Sequence, residues 1–380
     1  MYIDKSEERI LNGEFGAIKA KAMRILITLG DIFEADKLIP IESVQVSGIS
    51  YKTIGDAGLK FLEDWSDAQV VVETRMNPAG MDLIDWKTMG ISEYFANKQL
   101  RIINALTSMG IKKSCTCTPY HAGLVPNQGT HVAWSESSAV VFANSVLGAM
   151  TNREGGPSAL SAALIGKTPN YGMHLEENRV GEVVFKINHE LTDLDFSLLG
   201  YYIGKKTKNK IPIIEGIKKA NQNQLKALGA GAAASGGISM FMIKNVTPEY
   251  KIIENPEIID VEYDELTNIK NDLTNCINPD IISFGCPHLS LEEVKDIIEN
   301  SNTDKEIWLC TTQEIKEKFP SVPSNIKIFS DTCMVVTPIE ELGIKCLATD
   351  STKCAHYSQN LSKIKTLVNS RQELINKINL

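Results

Sequence analysis

Several absences bound the reading before any motif does. Nothing in the 380 residues approaches the ~18 consecutive apolar residues of a membrane-spanning helix. No basic stripe is present: 39 Lys and Arg stand against 47 Asp and Glu, a net charge of −8, which argues against a nucleic-acid partner. The start, MYIDKSEERI, lacks the basic and apolar segments of a secretory signal, so a cytoplasmic protein is expected. There is no P-loop, no dinucleotide fingerprint, no internal repeat and no low-complexity tail. The eight cysteines show no CxxC…CxxC spacing, which disfavours a structural zinc site. In a reducing compartment they are not expected to form a disulfide framework.

What is present is an ordinary soluble composition, 43% hydrophobic and 23% charged, long enough for two or three domains. Strand, loop and helix patterns alternate. Ser6 to Phe33 reads as mostly helix, weakened at Gly13 and Gly16. Strands are expected at Ile41–Val46, Gln69–Glu73 and Lys113–Thr118, with helices over Gly55–Trp65 and Ile91–Met109. Ser135 reads as the N-cap of a helix Glu136–Met150. The Gly/Ala run Gly229–Gly237 fits either close packing or a flexible junction. The expected division falls there: residues 1–235 form one α/β region and 236–380 a doubly wound α/β domain. In the last third, strands are expected at Ile281–Phe284, Glu306–Cys310, Ile326–Phe329 and Ile344–Ala348, with a final helix from about Gln359. This alternation predicts parallel sheets flanked by helices, an α/β fold.

Three cysteines close expected strands: Cys117 in SCTCTPY, Cys286 in DIISFGCPH and Cys333 in IKIFSDTC. Ligands of doubly wound sheets bind beyond the carboxyl ends of the strands. Three soft ligands there could hold a metal or iron–sulfur centre with one position open. The alternative is that each is a buried apolar thiol, the reading preferred for Cys276, Cys310 and Cys346. Cys115 shares a strand face with Cys117 and is the main rival ligand; Cys354, also beyond a strand, is a weaker one.

Other polar positions carry two readings each. Ser47, Gly48, Ile49 and Ser50, and likewise Asn77 and Pro78, follow strands. They are either tight turns or backbone cradles for an anion. Glu136 and Ser137 open a helix, to complement its dipole or to meet a ligand. Arg153 either pairs with Glu154 or holds an anionic group. Lys353 is either solvated or an anion ligand. His121, His131, His288 and His356 read as structural.

Several segments together resemble one family, the aconitase X proteins of the aconitase superfamily. They are VSGISYKTIGDAG (Val46–Gly58), NPAGMD (Asn77–Asp82), CTCTPY (Cys115–Tyr120), the run Trp134–Leu160, GCPH (Gly285–His288), DTC (Asp331–Cys333) and KCAHY (Lys353–Tyr357). The resemblance spans nearly the whole chain. It implies an aconitase-like α/β fold and an iron–sulfur cluster, [4Fe-4S] in form, on Cys117, Cys286 and Cys333. It implies substrate contacts from Ser47, Gly48, Ile49, Ser50, Asn77, Pro78, Glu136, Ser137, Arg153 and Lys353. The activity it implies is loss of water from (R)-5-phosphomevalonate, giving trans-anhydromevalonate 5-phosphate in isoprenoid precursor synthesis. A separate small swivelling-domain subunit is the implied partner and the source of the catalytic base. Dehydration of cis-3-hydroxy-L-proline is the alternative within the family. A non-catalytic α/β protein with core thiols is the alternative outside it.

Overall fold

The computed structural model describes residues 1–207 and 210–376. Near the N-terminus two helices form, Lys5–Leu11 and Ala17–Ile32, divided where Gly13 and Gly16 take φ of +88° and +98°. A positive φ cannot continue a right-handed helix.

The first sheet has three parallel strands in the order Glu73–Met76, Ser43–Val46, Ala133–Trp134. The strand expected at Gln69–Glu73 therefore lies later. Val70 and Val71 give their N–H groups to the carbonyls of Met109 and Ala163, bracing two helix ends instead of joining a ladder. The strand expected at Lys113–Thr118 is not a ladder strand either. Lys112 makes one parallel bridge to Arg75, and Cys115 sits at φ +39°. The Ser114 hydroxyl and the Thr116 N–H both donate to the Met76 carbonyl and hold this segment against the strand.

A second sheet runs in the order Met242–Ile243, Pro212–Glu215, Gly181–Ile187, Ile252–Val261, all parallel. Helices Asp193–Thr207 and Gln222–Gly236 pack against each other through glycine. A Cβ on Gly200 would meet the Leu228 carbonyl oxygen at 2.0 Å, and one on Gly236 the Gly204 oxygen at 2.1 Å. The Gly/Ala run is thus a close-packed helix and not a flexible junction. The boundary expected at 235/236 falls at this helix's last turn, with strands of the second sheet on both sides of it.

The third sheet has five parallel strands in the order Ile326–Ser330, Ile307–Thr311, Ile281–Phe284, Cys346–Thr349, Lys365–Val368. The winding reverses beside Ile281–Phe284, which creates a topological switch point next to Cys346–Thr349. The long final helix expected from Gln359 is instead the edge strand Lys365–Val368 and a short helix Arg371–Ile375. Lys363, at φ +58°, separates that strand from the helix Thr352–Asn360. Cys276 and Cys346, expected as separate thiols, are joined in a disulfide with Cα atoms 6.4 Å apart. Among the described residues no helix is long and apolar enough to cross a membrane.

Candidate active site

The carboxyl ends of the first and third sheets meet. After Met76 the chain runs through Asn77 and Pro78 to Ala79, which makes a parallel bridge to Thr332 and gives its N–H to the Asp331 carbonyl at 2.7 Å. The Ser50 hydroxyl donates to the Val336 carbonyl at 2.8 Å. These contacts bring together the loops after three strands, two of the first sheet and one of the third.

His288 ties its own turn to the segments of Thr116 and Thr332. It is fully buried. Its Nε2 lies 2.8 Å from the Thr332 carbonyl and its Nδ1 3.0 Å from the Thr116 hydroxyl. A carbonyl only accepts, so Nε2 carries the proton and Nδ1 accepts from Thr116. Burial pushes the ring down to about 4, so it stays neutral. Its backbone N–H donates to the Cys117 sulfur at 3.2 Å. A structural role for His288 agrees with its sequence reading. Gly285 explains why the turn is possible: at φ +106° a Cβ would lie 2.2 Å from the Cys310 carbonyl oxygen.

Cys117, Cys286 and Cys333 are buried, carry no disulfide and lie within electrostatic reach of one another. Burial pushes Cys117 up, with Glu136 adding to it. A hydrogen bond with Cys354, then burial, raises Cys286. Burial pushes Cys333 up to about 12. Cys115 is separate: its thiol joins the core under the first sheet and faces Asp331 and Lys113. Cys310 and Cys354 stand close to the trio, Cys310 inside a strand and Cys354 in a helix with Ser358 as a further partner. Among the described residues no group of three His, Cys, Asp or Glu converges on one ion.

Lys353 lies in the first turn of the helix Thr352–Asn360, beyond the strand beside the switch point. It is buried, and its ammonium donates to Glu136 and, at 3.1 Å, to the Ser138 hydroxyl. Burial pulls its ionisation down, but the Glu136 carboxylate outweighs that and the net direction is upward. Glu136 in turn is held below its usual value, because Lys353 and its hydrogen bonds outweigh burial. Glu136, not Ser135, is the N-cap: its carboxylate accepts from the Ala139 N–H at 2.7 Å. The helix is Ser137–Phe142, continued by a wider turn Ala143–Leu147, and is shorter than expected. Ser135 instead crosses to the first sheet, donating to the Gln45 carbonyl and accepting from the Ser47 N–H.

The remaining expected residues divide. Gly48, at φ +70°, faces open space. Ile49 is buried in the core of the first sheet. Asn77 is buried with its Oδ1 unpartnered among the described residues, and Ser137 gives its hydroxyl to Glu136. Arg153 is exposed and does not pair with Glu154, whose carboxylate turns inward to Ser158 and Thr168. Three residues were missed by the sequence reading: Thr116, Ser138 and Ser351. The Ser351 hydroxyl donates to the Cys286 carbonyl and caps the helix of Lys353. Its position just before a helix was the available signal.

A site built from strand-end loops of parallel sheets, with three buried thiols around it, places the chain in a definite class. It belongs to the aconitase X family: models of that family's first, second and third domains match residues 1–177, 181–271 and 279–379. Among its relatives, the phosphomevalonate dehydratase large subunit of Methanocaldococcus jannaschii is 47% identical over 99% of both chains. That of Methanothermobacter thermautotrophicus is 44% identical over 99% of this chain and 98% of its own. The cis-3-hydroxy-L-proline dehydratase of Hypocrea jecorina is 30% identical over 95% of this chain but 65% of its own length. The crystal structure of Thermococcus kodakaraensis aconitase X in its holo-form superposes with a TM-score of 0.92 at 41% identity, covering 99% of this chain and all of that one.

Proposed function

We propose that this chain is the large subunit of a phosphomevalonate dehydratase, a hydro-lyase that converts (R)-5-phosphomevalonate to trans-anhydromevalonate 5-phosphate with a separate small subunit. The observation that carries this is identity of 44–47% along essentially the full length of both partners for the large subunits. The hydroxyproline dehydratases are more distant and extend well beyond the aligned part.

The donor set suits an iron–sulfur cluster held by Cys117, Cys286 and Cys333. Three buried thiols whose ionisation burial opposes need cations to become thiolates. Lys353 and the His288 N–H offer part of that compensation, and iron the rest. When bound, the cluster supplies an iron with an open position, a Lewis acid that makes hydroxide a better leaving group.

The chain's own residues bind and orient the substrate. Lys353 presents a buried ammonium to an anionic oxygen, kept charged by Glu136. The turn Ser47–Ser50, with Gly48 at positive φ, offers backbone N–H groups, and Asn77 an unpartnered amide oxygen for a hydroxyl. Ile49 contributes its backbone, since its side chain is buried in core. Pro78 turns the chain toward Ala79, Ser137 lies at the Glu136 helix start, and exposed Arg153 is assigned to the substrate phosphate. The base that removes the proton is assigned to the small subunit.

Anaerobic co-expression with the candidate small subunit tests this. The expected result is a brown complex that dehydrates phosphomevalonate and leaves hydroxyproline untouched. Cys117→Ser, Cys286→Ser and Cys333→Ser each lower iron content by at least about half, whereas Cys310→Ser and Cys354→Ser retain it. Turnover of hydroxyproline alone, or iron unaffected by all three serines, refutes the reading.

A further inference from the structure

Tyr120 carries a hydroxyl that no role described so far uses. The residue follows Cys117 by three positions, in the short helical turn Pro119–Ala122. It is 8% exposed. Its ring stacks on Phe142 with centroids 3.8 Å apart and planes within 10°. Phe142 ends the helix that Glu136 caps, so the stack ties the Cys117 segment to that helix. The hydroxyl is buried and has no hydrogen-bond partner among the described residues.

Phenylalanine would fill the same stack without burying an unpaired polar group, which is costly. The oxygen lies within electrostatic reach of Cys117, Glu136 and Glu293. Neither carboxylate takes its proton. Glu136 accepts from Lys353, Ser138 and Ala139, and Glu293 from Lys226, Arg371 and Ser290. The hydroxyl is thus a buried donor without an acceptor among the described residues, within electrostatic reach of Cys117.

We propose that Tyr120 is a further substrate-contacting residue, whose hydroxyl donates a hydrogen bond to an oxygen of the hydroxy acid bound beside Cys117. This rests on the dehydratase reading above. The phenol keeps its proton throughout: it forms no covalent bond and adds only a hydrogen bond to an oxygen whose negative charge grows during elimination.

Tyr120→Phe retains the stack on Phe142 and removes the donor. In the assembled, iron-loaded enzyme we expect wild-type iron content and thermal midpoint. We expect kcat/KM for phosphomevalonate to fall by about 10–100-fold. The substrate concentration that half-saturates the change in the cluster's electron paramagnetic resonance signal should rise in step. Unchanged kcat/KM and half-saturation overturn the proposal, leaving Tyr120 a core residue. Loss of iron or of fold overturns it too, by assigning Tyr120 to the thiol frame. Wild-type enzyme that responds only to hydroxyproline, with Tyr120→Phe weakening that response, refutes the phosphomevalonate reading and supports the role of Tyr120. Wild type that responds to neither compound removes both.

Discussion

At the scale of single residues, the buried pair Lys353–Glu136 decides much of the site. Neither side chain is visibly paired in the sequence, since 217 positions separate them. Removing one partner leaves an uncompensated buried charge, so Lys353→Met should destabilise the chain by about 3–5 kcal/mol. Lys353→Met combined with Glu136→Gln should recover most of that loss in chemical denaturation, yet both variants should lose at least about 100-fold in turnover. A double variant no more stable than the single one would show that the pair is not coupled in this way. The same reasoning explains Arg153. Its neighbour Glu154 is fully occupied by Ser158 and Thr168, so adjacency in the chain produced no ion pair.

Elements place these residues, and here the reading from sequence was uneven. The strand that precedes Cys286 stands where periodicity and flanking turns put it, and the one before Cys333 gains only Ser330. The segment carrying Cys117 reads as a strand, yet it is held by Ser114 and Thr116 against Met76 with one bridge nearby. Its alternating pattern is that of a strand, but pairing is settled by which backbone groups already have partners. Gly285 shows the constraint most directly. Gly285→Ala should cost roughly 3 kcal/mol through its positive φ and the clash with Cys310, and should lower iron per chain after anaerobic reconstitution by at least about half. Gly343→Ala provides the control: its φ is +79° but nothing lies within 4 Å of the added Cβ, so iron should be retained. Equal iron loss in both would mean that the turn at Cys286 is not specifically required.

On the whole-molecule scale, the first and third parallel sheets bring their loops to one centre, and a disulfide joins the connection before the third sheet to its fourth strand in sequence. Titration of the iron-free, unfolded protein without reductant should find six thiols, since Cys276 and Cys346 are paired, and eight after reduction. Cys276→Ser should lower the stability of the oxidised, iron-free chain by about 4 kcal/mol, because the bond closes a loop across a sequence separation of 70. Eight thiols without reduction would contradict the pairing. Spacing gave no hint of this bond, because a disulfide depends on Cα atoms meeting in space.

The sequence by itself determined the α/β class, the strand-end setting of Cys286 and Cys333, and the family, because hydrophobic periodicity and turn residues act locally and the motifs lie intact along the chain. Only the tertiary structure decided that Glu136 faces Lys353, that Ser135 leaves its helix for the first sheet, that His288 ties Thr116 to Thr332, and that the Tyr120 hydroxyl has no partner among the described residues. Those outcomes depend on which buried polar group finds which partner across hundreds of residues. That choice is made by desolvation and geometry together, and neither is written in local sequence.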